Sequence, residues 1–243
     1  MGTLLWKEIV NFFSSLIGYI VIAIFLLGTG LFLFVFESDI NILQTGFASL
    51  DGLFLIAPWI FLFLAPAITM RFFADESKSG TIELLLTYPI TDKDIVLSKF
   101  LAGIILIFLS LIPTALYFVT IYALGSPPGN IDIAATIGAY IGLFLLSGVY
   151  IAIGTFISSI TDNQIVSFII TAALCFIFFI GFDFIADFFQ NGTLNTIFLL
   201  IGIREHYDSI SRGVIDTRDI LYFLSVIGFF LYMTILSIQN KRK

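Results

Sequence analysis

Long apolar stretches alternate with short polar ones along this chain, and the apolar stretches exceed what a soluble helix needs. Cutting at every charged residue leaves uncharged runs over 9–36, 52–70, 100–131, 133–161, 163–182 and 220–240. Roughly 20 apolar residues carry a helix across a bilayer, so each run predicts a membrane-spanning helix. The spans are placed near 14–36, 52–71, 98–123, 134–159, 164–183 and 219–238. The expected fold is an all-α membrane protein with six spans in one domain covering 1–243. Pro58 and Pro66 in span two and Pro113 in span three predict kinks, tolerated where neighbouring helices re-satisfy the freed carbonyls. Ala134, Gly138 and Gly142, with Gly148 and Ala152 beyond, give span four a face of small residues that admits another helix closely, within the bundle or across a dimer.

Composition narrows the function. With 59% hydrophobic and 12% charged residues, six spans leave no length for a soluble catalytic domain. The net charge of −6 says little, because in a membrane protein the distribution of Lys and Arg is the informative quantity. Lys7, Arg71, Lys78, Lys93, Lys99, Lys241, Arg242 and Lys243 fall on one side of the six spans, 8 of the 11 basic residues, against Arg204, Arg212 and Arg218 on the other. That bias predicts both termini and the 71–99 loop in the cytoplasm. The apolar run after Lys7 is too long for a signal-peptide core and is expected to be a retained span. Residues 3–15 put Leu5, Ile9, Phe12 and Phe13 near one face and Lys7, Glu8 and Asn11 elsewhere, which suits an interfacial helix with Trp6 at headgroup depth or simply the cytoplasmic end of span one.

Catalytic apparatus is hard to find. No G-x-x-x-x-G-K-[ST] loop is present to cradle nucleotide phosphates, and one histidine and the single Cys175 support no metal site or disulfide framework. Asp183 and Asp187, four apart at the outer end of span five, allow an intramembrane aspartyl enzyme as a weak rival. The span middles carry no Asp, Glu, Lys, Arg or His, whereas ion-coupled transporters place ionisable groups there, so any transport draws its energy from elsewhere. No cofactor and no nucleic acid is expected on this chain. The outer segment 184–215 holds an 11-residue apolar stretch, Thr193–Ile203, too short to span and expected to be re-entrant or interfacial. Arg204, Glu205, His206 and Asp208 follow it as a candidate outer gate, the alternative being a solvated cap. Asn191-Gly192-Thr193 fits the glycosylation pattern, which is read as coincidence.

The loop between spans two and three carries the chemistry. In segment 75–90, Ile82, Leu85 and Leu86 fall at i, i+3 and i+4, predicting a short helix with an apolar face that Pro89 stops. Thr91-Asp92-Lys93-Asp94 has capping-box spacing and opens the next helix with acids in its first turn. Apolar surface on a small helix tied to two spans suits a push from a soluble partner, or else a helix resting on lipid.

The run Met70-Arg71-Phe72-Phe73-Ala74-Asp75-Glu76, then Ser79-Gly80-Thr81-Ile82-Glu83-Leu84-Leu85-Leu86-Thr87-Tyr88-Pro89-Ile90 and Lys99-Phe100, resembles the signature of type-2 ABC exporter permeases. Ser159 to Gln164 is similar to the turn such permeases carry between spans four and five, and His206 to Asp216 with Asp219 to Phe223 resembles the permease subunits associated with gliding motility. The resemblance implies a coupling helix seated on a separate cytoplasmic ABC ATPase subunit, two permease chains, identical or different, in a bacterial inner membrane, and an outer hairpin near 184–203 that gates the path. Under it Asp75 and Glu76 stand at the helix junction, and Gly80, Thr81, Ile82, Glu83, Leu84, Leu85 and Leu86 face the ATPase. The rival is a membrane scaffold anchoring a cytoplasmic partner of a motility or secretion complex.

The predicted sidedness is testable in a Cys175→Ser background. A single cysteine at Lys78 should react with an impermeant maleimide in inside-out vesicles only, and one at Thr193 in right-side-out vesicles only; labelling of both from the same side would overturn the topology.

Overall fold

The computed structural model describes residues 1–88, 90–189, 192–214 and 216–242, without the side chains of Leu84, Leu85 and Leu86. Pro89, the expected helix stop, and Asn191 of the glycosylation pattern lie outside these residues. Every regular element among the described residues is helical. Six helices are long and apolar enough to cross a membrane, and they lie where the uncharged runs lie: Leu16–Val35, Asp51–Lys78, Asp92–Leu124, Ile133–Ile160, Gln164–Phe188 and Thr217–Arg242.

α1 (Gly2–Ser14) stops at Ser15, whose extended backbone turns the chain into α2 (Leu16–Gly30), so the N-terminal helix is separate from span one. A Cβ at Gly18 would stand 2.9 Å from the Phe12 carbonyl, so the close approach of α1 to α2 needs glycine there. A π-helical turn, Leu31–Val35, completes the first span, and α3 (Ile42–Thr45) is one turn capped by Asn41. α4 (Asp51–Thr69) contains Pro58 and Pro66 and runs down to α5 (Ala74–Lys78) and α6 (Thr81–Thr87). α7 (Asp92–Leu111) begins on the expected cap, Thr91 accepting from the Asp94 N–H at 3.2 Å. At Pro113 it tightens into a 3-10 turn, Ile112–Thr114, before α8 (Ala115–Leu124). α9 (Ile133–Ile160) is span four; α10 (Gln164–Phe176), a π turn and α11 (Phe182–Phe188) make span five. α12 (Thr193–Ile201) and α13 (Ile203–Ser211) precede the last span, α14 (Thr217–Arg242).

α9 is the axis of the bundle. Its apolar window is 78% buried, against 17% for span six, so the outer spans turn most of their side chains to the surroundings. The small-residue face makes this possible by packing inside the same chain. A Cβ at Gly138 would meet the Gly213 Cα at 3.2 Å, and one at Gly142 the Ile210 side chain at 2.8 Å. Gly213 itself sits in the left-handed region at φ +85°, pressed on Ala135. At the other end of α9, a Cβ on Gly154 would land on the Thr69 hydroxyl of α4.

Gly154→Ala is therefore expected to lose about 1–3 kcal/mol through overpacking, while Gly228→Ala, where a Cβ meets open space, should gain stability or leave it unchanged. Thermal unfolding of the detergent-solubilised protein reads the difference; equal midpoints would contradict the close α4–α9 contact.

Candidate functional site

The two chain ends, the α5–α6 loop and the α9–α10 turn gather at one end of the bundle. Chain reversal there depends on Gly80, whose φ of +71° lets α6 start where an L side chain would be strained. In α6 the side chain of Ile82 is only 8% exposed and packs into the core, while Thr81, Glu83 and Tyr88 are exposed. Ile82 thus helps to hold the short helix on its own bundle, together with the Thr81 hydroxyl, which meets Ser79 at 2.8 Å and the Glu76 carbonyl at 3.4 Å. Leu84, Leu85 and Leu86, named with it, lie among the side chains outside those described.

α5 is fixed from three directions. The Ser158 hydroxyl of α9 accepts from the Phe73 and Ala74 N–H groups at 3.0 and 3.1 Å, capping donors that the first turn leaves unpaired. Gln164 donates to Asp75 at 2.5 Å, and Ser77 donates to Asp162 at 2.5 Å, tying α5 to the turn after α9. Lys241 near the C-terminus reaches Asp162 at 3.7 Å, and Arg242 lies 3.0 Å from Asp92 at the start of α7. The Ser77 hydrogen bond, followed by the Lys241 ammonium, holds the Asp162 carboxyl below its usual range. That contact is thus complete at neutral pH and is lost only as pH falls through the lowered value.

The third attachment is a buried charge. Lys99 of α7 is 2% exposed; its ammonium donates to Glu76 of α5 at 2.9 Å and to Glu8 of α1 at 3.1 Å, and stands 5.1 Å from the centre of the Phe73 ring. Lys7 adds a longer pair to Glu76 at 4.0 Å. Glu8 is itself buried beside Phe12, one turn further along α1. Sequence reasoning placed Glu8 off the apolar face; the α7 ammonium draws it inward. The legible signal was a lone lysine one position before a long uncharged run, which demands a partner if it is buried.

At the opposite end the four candidate gate residues do not form one site. Arg204 pairs with Asp183 at 3.3 Å and with Asp208 at 3.6 Å. His206 turns the other way, its Nδ1 2.7 Å from Asp219 and its Nε2 3.0 Å from the Leu200 carbonyl, with its ring stacked on Tyr222 at 3.9 Å. Glu205 is exposed and makes no ion pair among the described residues. Asp183 is held by Arg204 while Asp187 is exposed and unpaired among the described residues, so the two carboxyls form no dyad. α12 packs back on α11, with Phe189 and Phe198 stacked at 5.5 Å and Asn195 donating to the Ala186 carbonyl at 2.7 Å. Between α4, α9 and α13 lies a cavity of about 510 Å³ that Arg204 and Asp208 line. Burial raises the Asp208 carboxyl above its ordinary value, opposed by Arg204 and Arg212. Tyr207 closes the inner wall, donating to the Phe54 carbonyl at 2.6 Å.

Removing Lys99 alone would strand the Glu8 carboxylate and leave Glu76 only the longer pair to Lys7, and Lys99→Met should cost about 3–5 kcal/mol. Adding Glu8→Gln and Glu76→Gln to it should restore most of that loss in thermal unfolding. If the triple variant is no more stable than the single one, the triad does not hold this end together.

Comparison with known proteins gives a family. Residues 3–238 match the model of the ABC-2 family transporter protein, and no curated protein matches the chain. The match spans all six apolar helices and the loop between the second and third, and it agrees with a bundle whose polar network lies at one end. The chain therefore belongs to the ABC-2 family of transporter proteins, as a multi-pass membrane component.

Proposed function

We propose that this chain is the permease subunit of an ATP-driven exporter, with α5 and α6 as its coupling element. The observation that carries the reading is the attachment of that element: Lys99, Ser158, Asp162 and Gln164 bind α5 to α7, α9 and α10, and Lys99 binds Glu8 of α1 as well. A displacement of α5 cannot occur without moving these helices or breaking buried polar contacts. The exposed Thr81 and Glu83 offer a polar surface to a cytoplasmic ATPase, and Glu83, with no ion pair among the described residues, is suited to a basic residue of that partner. The loop end faces the cytoplasm on the basic-residue bias, with both termini there, and the membrane is a bacterial inner membrane. ATP binding pulls α6 and rotates α7 and α1 against α9, opening a path to the other side.

Two finer readings belong with this proposal. A second permease chain completes the unit, and the resemblance of the last third to gliding-motility permeases supports a role for the exporter in such machinery. Under this reading the chain itself neither hydrolyses ATP nor holds a cofactor, and hydrolysis belongs to the ATPase.

Co-purification from the native host tests the proposal. An ATPase subunit should come down with the wild-type chain, fall at least tenfold with Glu83→Arg, and remain bound in the Lys99→Met, Glu8→Gln, Glu76→Gln triple variant with its hydrolysis no longer altered by the permease. Absence of an ATPase, or equal recovery with Glu83→Arg, would move a scaffold role to first place.

A further inference from the structure

The outer cavity has a chemistry of its own. Its deep wall is apolar and aromatic: Phe54, Pro58 and Trp59 of α4 and Phe179 of span five, with the Trp59 and Phe179 rings edge to face at 5.8 Å. Its mouth is charged on two sides. Asp51 and Asp132 line it at the starts of α4 and α9, and Arg204, Asp208 and Arg212 line it from α13. Arg204 is spent on Asp183 and Asp208, and Arg212 uses its Nε on the Asp208 carbonyl at 2.9 Å, leaving its terminal amino groups without a partner among the described residues. Asp51 likewise has no ion pair or side-chain hydrogen bond among the described residues. One wall thus presents a free guanidinium edge and the other a free carboxylate.

The cavity also opens sideways. Leu55 and Trp59 line it, are 60% and 40% exposed, and continue into Phe63, 58% exposed, at steps of four along α4. Residues four apart share a helix face about 6 Å from one to the next, so an apolar track about 12 Å long leaves the cavity down the surface of span two. A volume of about 510 Å³ accepts a headgroup and the first part of a chain, within the range of ordinary ligand sites.

We propose that this cavity binds a zwitterionic membrane amphiphile, an ammonium-bearing phospholipid, with its phosphate on Arg212, its ammonium at Asp51, and its acyl chain along Leu55, Trp59 and Phe63. A purely anionic headgroup meets three carboxylates here, and a purely cationic one meets two guanidinium groups, so the mixed lining selects against both. Binding does not depend on the transporter reading; that the amphiphile is the cargo does.

The sequence supplies a reporter, because Trp6 and Trp59 are the two tryptophans and Trp6 sits far off on α1. The full chain with Trp6→Phe goes into nanodiscs, and Trp59 fluorescence is followed as phosphatidylethanolamine brominated near the headgroup end of its chains replaces plain phosphatidylglycerol, and then with the bromine on phosphatidylglycerol instead. Half-quenching should come at a severalfold lower mole fraction of the brominated phosphatidylethanolamine. Arg212→Gln with Asp51→Asn should make the two curves coincide while Trp59 remains quenchable, which reports an intact bundle, and Glu37→Gln, exposed and outside the cavity lining, should leave the preference unchanged. Free phosphoethanolamine should not compete at comparable concentration. Coincident curves in the parent chain, or a preference that survives both substitutions, overturn the proposal; full competition by free phosphoethanolamine overturns the amphiphile in favour of a soluble ligand. None of these readings needs the ATPase, so a failed co-purification leaves this result standing and the reverse.

Discussion

An ammonium group with 2% exposure is the constraint around which the loop end of this bundle is organised. Taking a charge out of water costs several kcal/mol unless a counter-charge comes with it. Lys99 recovers that cost from two carboxylates on two other elements, Glu76 on α5 and Glu8 on α1. The consequence is mechanical. α1 packs its apolar side, Leu5, Ile9 and Phe12 included, on the bundle, and α5 is barely more than one turn, so the buried ammonium adds a polar tie between both helices and α7. Moving either helix away strands a buried charge, so the three travel together or the contact breaks.

Seen along the helices, the molecule has two specialised ends joined by the same two rods. α4 begins at Asp51 in the cavity and finishes at Thr69 beside Gly154, about 27 Å away at 1.5 Å per residue. α9 begins at Asp132 on the cavity wall and finishes at Ser158 and Ser159, where it caps α5 and meets α14. A shift delivered to α5 therefore reaches helices that also form the cavity. Close α4–α9 packing at glycine keeps the rods stiff between the two ends, since side chains that interdigitate at van der Waals distance do not slide freely.

Much of this architecture could be read before any coordinates. Charge-free runs marked the six long helices because a charged side chain in hydrocarbon is expensive enough to be absent. The Thr91 cap of α7 was legible because capping needs only local spacing, and the small residues of α9 announced close packing, which the structure places within the chain at Gly213 and Ile210. What escaped was long-range pairing. Glu8 looked like a residue of the wet face because its partner is 91 positions away, and Ile82 looked available because the core that receives it is built by other helices. His206 resembled its charged neighbours in sequence, yet Asp219 at the start of α14 turns it out of their cluster. The cavity was hidden for the same reason, its walls coming from three separate stretches of chain.

The central claim is that α1, α5 and α7 move as one unit held by Lys99. Pulsed electron resonance on the complex with its ATPase tests it most directly, using spin labels at Thr3 and Lys78 in a Cys175→Ser background, and a second pair at Lys78 and Thr193. Adding ATP should leave the first distance unchanged in the parent chain while the second changes, and Lys99→Met should let the first distance broaden or shift. A first distance that changes with ATP in the parent chain, or that is indifferent to Lys99→Met, would contradict the account.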